Sequence, residues 1–503
     1  MHPTLADGSS TRRRPAEIVE SSHVPEPTIS QLRPDAHGRT VRRRAVVIGG
    51  GLAGMLAAGA LRGAVDEVLV VENDQLPDRP LPRRGLPQAR HAHMLWSGGA
   101  RAAEALLPGI TDRWLAAGAN RIPVPTGMVA LSGQGWFRRW DRETHFVIGC
   151  SRDLLDSVVR DLVLAGGGVA VLQGTRVEGL SGSASRVTGV RVRGADGRHR
   201  TLDADFVVEA SGRGSRAPRY LADLGVRPAP ERALDLGLVY ATRVFRAPAG
   251  SAGFPIVSVH ADPRGGRPGQ SASILPVEDG RWIVTQTGTR EGEPTGDAED
   301  FEAFARRLRH PVVGEIISRL EPLTGVTVSR STHNTRRYFE RVRAWPERFV
   351  VLGDALAAFN PVYGHGMSVA AQSAAVLREK ARARGVDAPH LARQVQRAMA
   401  KRVDAAWDLA TGQDIFYPGV RGGSPNRRDR ILACYVNRLV TTSCGSFAMV
   451  KDLTDVTSLQ TPLAALARPR VLLGAVRGPR RPPLTGPPLT ARELALVHAP
   501  TGT

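Results

Sequence analysis

Seventeen residues, AVVIGGGLAGMLAAGAL from Ala45 to Leu61, restrict the fold more tightly than any other part of the chain. The run is apolar enough to raise a membrane span. About 20 apolar residues are needed to cross the hydrocarbon core, however, and arginines at 42–44 and 62 close this run on both sides. A long polar segment precedes it and no small-residue cleavage site follows, which argues against a secretory signal. The internal order points elsewhere. Ala45–Ile48 has the character of a strand buried on both faces. Gly49, Gly51 and Gly54 then spell G-x-G-x-x-G, and from Leu52 the sequence becomes an Ala- and Leu-rich helix. A second apolar strand, VLVVE, ends at Glu72, 23 residues after Gly49. In such a unit the first glycine permits a tight turn, the second lets a pyrophosphate approach the backbone, and the third lets helix and strand pack closely. The terminal acid accepts from a ribose. A glycine-rich core helix is the alternative. Strand, turn, helix, strand and acid together indicate a dinucleotide.

A second informative segment is VVLGDALAAFNPVYGHGMSVAAQSAAVL. A buried strand ends at Gly353 and Asp354, Pro361 lies in the following loop, and Gly364 and Gly366 open an alanine-rich helix. A carboxylate thus stands at a strand end and free N–H groups at a helix start. The positive end of a helix suits the negative charge of a reduced flavin, and Asp354 would accept from ribityl hydroxyls. An ordinary strand–loop–helix is the alternative for this segment alone.

These motifs resemble the FAD-dependent monooxygenases of the para-hydroxybenzoate hydroxylase fold. Gly49, Gly51, Gly54 and Glu72 match that family's first fingerprint, and Gly353, Asp354, Pro361, Gly364, Gly366 and Met367 match the late one. Arg152 matches a position that often contacts FAD, and Arg84 or its neighbour Arg83 is placed to reach the phosphates. RRGLPQARHAHMLWSGGAR, GLVYATRVFRAP, EDGRWIV and FNPVYGHGMS resemble the polyene epoxidases of polyether-ionophore biosynthesis, the monensin and lasalocid type.

The resemblance implies a Rossmann-like α/β FAD-binding domain, an inserted antiparallel-sheet substrate domain and a helical C-terminal region. It implies FAD as cofactor and O2 as co-substrate, with reduction by NAD(P)H directly or through a separate flavin reductase. The activity implied is epoxidation of a linear polyketide polyene, free or carrier-bound, through a flavin C4a-hydroperoxide. Chemistry of this kind is carried by the cofactor, so no acid, base or nucleophile is required of the chain; Tyr363 and His365, beside the glycine loop, are the only catalytic candidates. An aromatic hydroxylase of the same fold and a non-catalytic FAD-binding partner of a polyketide assembly are the alternatives. A flavin halogenase would need a W-x-W-x-I-P motif, which is absent. Departures from the broader family are Ser211 where the central motif has Asp, Asn360 for a proline, His365 for Gln and Ser368 for Asn.

The order of motifs divides the chain into a disordered tail (1–40), FAD-binding pieces (41–120, 150–220 and 345–385), a strand excursion (121–149), a substrate domain (221–344) and a helical region (386–503) with the proline-rich GPRRPPLTGPPLT near its end. One helix is expected from Asp300 to Leu320, and another from Ser151, where SRDLLDSVVRDLVLAGG has helical spacing and a glycine stop. The formal charge is +20, almost all from arginine, with lysine only at 380, 401 and 451. The arginines are scattered and no zinc-finger or RNA-binding signature accompanies them, so nucleic acid is not expected. The charge suits an acidic partner or an anionic small molecule. Cys150, Cys434 and Cys444 form no C-x-x-C pattern, which suggests a reducing compartment, hence the cytoplasm, without stable membrane insertion. His91 and His93 would share a face if they lie on a strand, but no third metal ligand lies near and no metal is expected.

Overall fold

The structure, a computed structural model, describes residues 42–330 and 333–498. The tail expected over 1–40 lies outside the described residues. Five parallel strands make the central sheet: β1 (Arg44–Ile48), β2 (Glu67–Val71), β3 (Val169–Leu172), β4 (Phe206–Glu209) and β5 (Phe349–Val351), in the spatial order β5-β4-β1-β2-β3. Ala45–Ile48 are buried, as a strand covered on both faces must be. Between β1 and β2 runs α1 (Leu52–Leu61), of which every residue except Ala53 is buried. A helix this apolar needs cover all round. The sheet lies on one side, and α2 (Arg152–Ala165) and α3 (Gly366–Arg384) pack on the others. Gly54 makes the closest of these contacts possible, since a Cβ there would lie 1.8 Å from the Gly49 carbonyl oxygen.

The remaining sequence-level elements fall close to where the patterns put them. Ser151 caps α2, its side chain accepting from the Leu154 N–H, and Gly166 follows the last turn. The strand excursion pairs into two sheets. Asn120–Val124 and His145–Gly149 join Met94–Trp96, while Met128–Ser132 and Gly135–Trp136 extend a seven-stranded sheet. The strands expected to form an antiparallel sheet, from Val239–Arg246 to Arg281–Gly288, pair in that way, and Met128–Ser132 of the excursion adds to their edge by pairing parallel with Ile256–Val259. The helix expected over 300–320 is two, Ala298–Arg306 and Val312–Ile317. Pro311 stands at the N-cap of the second, where its missing N–H costs nothing but continuing the first helix would.

Beyond Gly385 the chain is helical, beginning with α4 (Leu391–Asp414). Gln396 of α4 donates to and accepts from the backbone of Val351, fastening the helix to β5. Among the described residues no helix is long and apolar enough to cross a membrane. The proline-rich segment lacks regular structure and is mostly exposed. It is held by Arg139, which donates to the Pro488 carbonyl at 3.3 Å.

Candidate functional site

A cavity of about 770 Å³ opens above the C-terminal ends of the parallel strands. That is towards the upper end for ligand sites, roughly 300–1,000 Å³, and in open α/β sheets ligands bind at this edge. Gly49 and Gly51 form one wall. Gly49 turns the chain at a φ of +98°, where a side chain would be strained. Gly51 begins α1, and a Cβ there would meet no atom within 4 Å. The backbone is therefore bare on the cavity side, and the N-terminal N–H groups of α1 are open to an anion.

Glu72, just past β2, is buried and already organised. Its Oε2 accepts from the Gly50 N–H at 2.7 Å and its Oε1 from the Asp74 N–H at 2.9 Å. Arg83 reaches the same carboxylate at 3.3 Å and donates to the Gly50 carbonyl at 3.1 Å. Arg83 lines the cavity and Arg84 does not: Arg84 is exposed, because adjacent side chains diverge and only Arg83 is drawn in by Glu72 and Asp74. Arg152, at the start of α2, lines the cavity and donates to Asp156 at 2.6 Å. Burial works against its charge. Asp156, with Asp354 and Asp153, outweighs burial and holds the guanidinium above its ordinary pKa.

Asp354, which also lines the cavity, follows β5 and pairs with Arg213 at 3.7 Å. Arg213 also ties down the Phe359 carbonyl. Pro361, Gly364, Gly366 and Met367 line the cavity as well, at the N-terminus of α3. Ser211 lines the cavity too, but its hydroxyl and N–H both serve Glu209, two residues earlier and fully buried. Burial raises the pKa of Glu209, and the bonds from Ser211 partly offset this.

Tyr363 and His365, the two catalytic candidates, lie outside the cavity wall. The Tyr363 hydroxyl donates to Asp414 at 2.7 Å, and His365 Nε2 donates to the Thr457 carbonyl at 2.9 Å. Both are turned toward the C-terminal helices by those partners. His91 and His93 do line the cavity, in an irregular stretch before Met94–Trp96 rather than on a strand. His93 Nδ1 donates to the His91 carbonyl at 2.8 Å. Burial lowers His91 to about 4; burial and the Arg152 charge lower His93 to about 3. Among the described residues no group of three or more His, Cys, Asp or Glu is arranged to hold a metal ion. The sequence reading missed Arg213, Glu209, Tyr240 and Asp414. Only Glu209 had a local signal, the acid in EASG.

Two helix N-termini lining one cavity, with an acid beyond β2 and another beyond β5, define a dinucleotide-binding flavoprotein. FAD fits this construction: the glycine turn leaves space where a pyrophosphate would lie, and a Cβ at Gly51 would fill it. Residues 42–384 match the profile described as FAD binding domain, and the chain belongs to that family. Protein Rv3254 of Mycobacterium tuberculosis is 30% identical over 385 residues, covering 74% of this chain and 80% of that one. Kynurenine 3-monooxygenase of Salinispora arenicola is 31% identical over 386 residues, 74% and 79% of the two chains. The flavin-dependent brominase Bmp2 shares the fold, with a TM-score of 0.62, 14% identity and 86% and 98% coverage. The protein is a member of the FAD-dependent monooxygenase family.

Proposed function

We propose that this monooxygenase epoxidises alkenes of a linear polyketide polyene on the way to a polyether. Gly49 and Gly51 would receive the pyrophosphate of FAD, with Gly54 keeping α1 against β1, Glu72 accepting from the ribose and Arg83 and Arg152 facing the phosphates. Asp354 would accept from the ribityl chain, and Pro361, Gly364, Gly366 and Met367 would set the N-terminus of α3 against the flavin. When bound and reduced, FAD supplies the activation of O2 and an electrophilic oxygen. The chain would orient the alkene beside His91, His93 and Tyr240 and wall off water.

The observation behind an alkene is the neutrality of the wall formed by His91, His93 and Tyr240. The imidazoles, at about 4 and about 3, are neutral and weakly basic at physiological pH. Burial holds the pKa of the Tyr240 phenol well above its ordinary range, and its hydroxyl donates a hydrogen bond to Asn360 Oδ1 at 3.0 Å. Such a wall offers hydrogen bonds but no base matched to a phenol. An alkene takes up oxygen without losing a proton of its own. A polyene on an acidic carrier would also suit the basic charge of the chain. Because Ser211 is committed to Glu209, electrons would come through a separate flavin reductase.

Aromatic hydroxylation is the second reading, favoured by the kynurenine 3-monooxygenase relative. The deciding experiment photoreduces the FAD-loaded protein, admits 18O2 and offers farnesyl acetate or L-kynurenine in parallel. Epoxidised farnesyl acetate carrying one 18O is the expected product. Labelled hydroxykynurenine alone would favour the second reading, and hydrogen peroxide with no labelled product from either would count against both.

A further inference from the structure

Asp414 ends α4, outside the FAD-binding match, and is fully buried. Its carboxylate faces three donors. Tyr363 Oη reaches Oδ1 at 2.7 Å, Asn334 Nδ2 reaches Oδ2 at 2.7 Å, and Asn360 Nδ2 lies 3.2 Å from both oxygens. Burial opposes its charge and those three hydrogen bonds support it. A helix C-terminus disfavours an anion as well. A buried carboxylate in such a place is costly, so its presence calls for an account of what it holds.

What it holds is a chain of fixed hydrogen-bond directions. An ionised carboxylate only accepts, so it turns the Nδ2 of Asn360 toward itself and leaves Oδ1 facing away. That oxygen accepts from Tyr240 Oη at 3.0 Å and from the Val362 N–H at 3.1 Å. Asn334 is turned in the same way, and its Oδ1 accepts the Asn360 N–H at 2.6 Å. Asn360, Pro361, Gly364 and Tyr240 line the cavity, whereas Asp414 does not.

We infer that Asp414 is the positioning residue of the cofactor cavity: through Asn360, Asn334 and Tyr363 it fixes the turn that delivers α3 to the flavin. The inference rests on FAD occupying this cavity. It makes the grip on FAD depend on a helix that lies beyond the FAD-binding segment, and it explains why Asn stands at 360, where a proline could not donate to the carboxylate.

The test uses the full chain at pH 8 and FAD itself, with Asp414→Asn, Asn360→Asp and the double variant. Asp414→Asn keeps the shape but faces donors with a donor, so the three neighbours cannot all be satisfied. FAD affinity should fall about tenfold, and the visible circular dichroism of the bound flavin should change. The double variant moves the carboxylate to position 360, where Tyr240, the Val362 N–H and the new amide at 414 donate to it. Affinity should return to within about threefold of the natural chain, a difference under 1 kcal/mol. Equal affinity and dichroism in Asp414→Asn, or no recovery in the double variant, would overturn the inference. Should Asp414→Asn fail to fold, a double variant that folds and binds FAD supports it, and one that does not overturns it. If the natural chain takes up no FAD, the cofactor assignment itself has failed, which is a different result.

Discussion

Two alanine substitutions three residues apart should separate folding from cofactor binding. At Gly54 the added Cβ lies 1.8 Å from the Gly49 carbonyl oxygen, and ordinary contact begins at 3.4 Å. Helix and turn must part by roughly 1.6 Å, and the obstacle is backbone that cannot rotate aside. Overpacking of this kind costs about 1–3 kcal/mol, occasionally more, so Gly54→Ala should lose about 3 kcal/mol of stability without FAD present. At Gly51 nothing lies within 4 Å, and φ of −78° with ψ of −177° suits alanine. The loss of unfolded-state freedom gains roughly 0.4–1 kcal/mol. The N-cap preference for glycine over alanine offsets a similar amount. Stability of the FAD-free Gly51→Ala protein should therefore stay within about 1 kcal/mol of the natural chain. Its Cβ nevertheless occupies the space where the pyrophosphate would approach. Displacing the phosphates should cost about 1–3 kcal/mol, or roughly five- to 150-fold in Kd. Urea unfolding of the FAD-free proteins and fluorescence titration with FAD measure the two effects. Unchanged FAD affinity in Gly51→Ala would refute the placement of the phosphates.

Replacing Asp354 with Ala should raise the FAD Kd about ten- to a hundredfold if its carboxylate accepts from the ribityl chain, a charged hydrogen bond of roughly 1.5–3 kcal/mol; unchanged affinity on titration would count against that contact. Anaerobic stopped-flow mixing with NADPH, with and without substrate, should bleach the flavin slowly, because the Ser211 hydroxyl is taken by Glu209; rapid bleaching without a reductase would remove the separate reductase from the account. The third prediction concerns pH. Burial raises Asp414 from 3.8 to about 6. The folded state then holds this proton more tightly than the unfolded chain, so the contribution of Asp414 to stability declines as pH rises from about 4 to about 6, by about 3 kcal/mol. Urea unfolding of the natural chain and of Asp414→Asn across that range should show their difference changing in this sense, and a constant difference would contradict it.

The parts of the fold that could be read from the sequence are those whose causes are local. The β1–turn–α1 unit follows from glycines that each answer a need within a few residues, and α2 follows from Ser151, its spacing and Gly166. Pro311 breaks a region whose apolar spacing continues on either side, so one helix was expected where two form. Side-chain direction is the least legible property. Arg83 rather than Arg84 enters the cavity because Glu72 and Gly50, brought together by β2 and the glycine turn, attract it. Tyr363 and His365 sit in sequence beside the cavity but turn to Asp414 and Thr457, 51 and 92 residues further on. The role of Asn360 is hidden for the same reason, since its partners come from a distant strand and a distant helix.

The central claim is that the cavity lined by the N-termini of α1 and α3 holds FAD, and the most direct test is the flavin content of the purified protein. The natural chain should be yellow, release unmodified FAD on denaturation and, once stripped, take up FAD at about one molecule per chain. A colourless protein that takes up no added FAD would contradict the account.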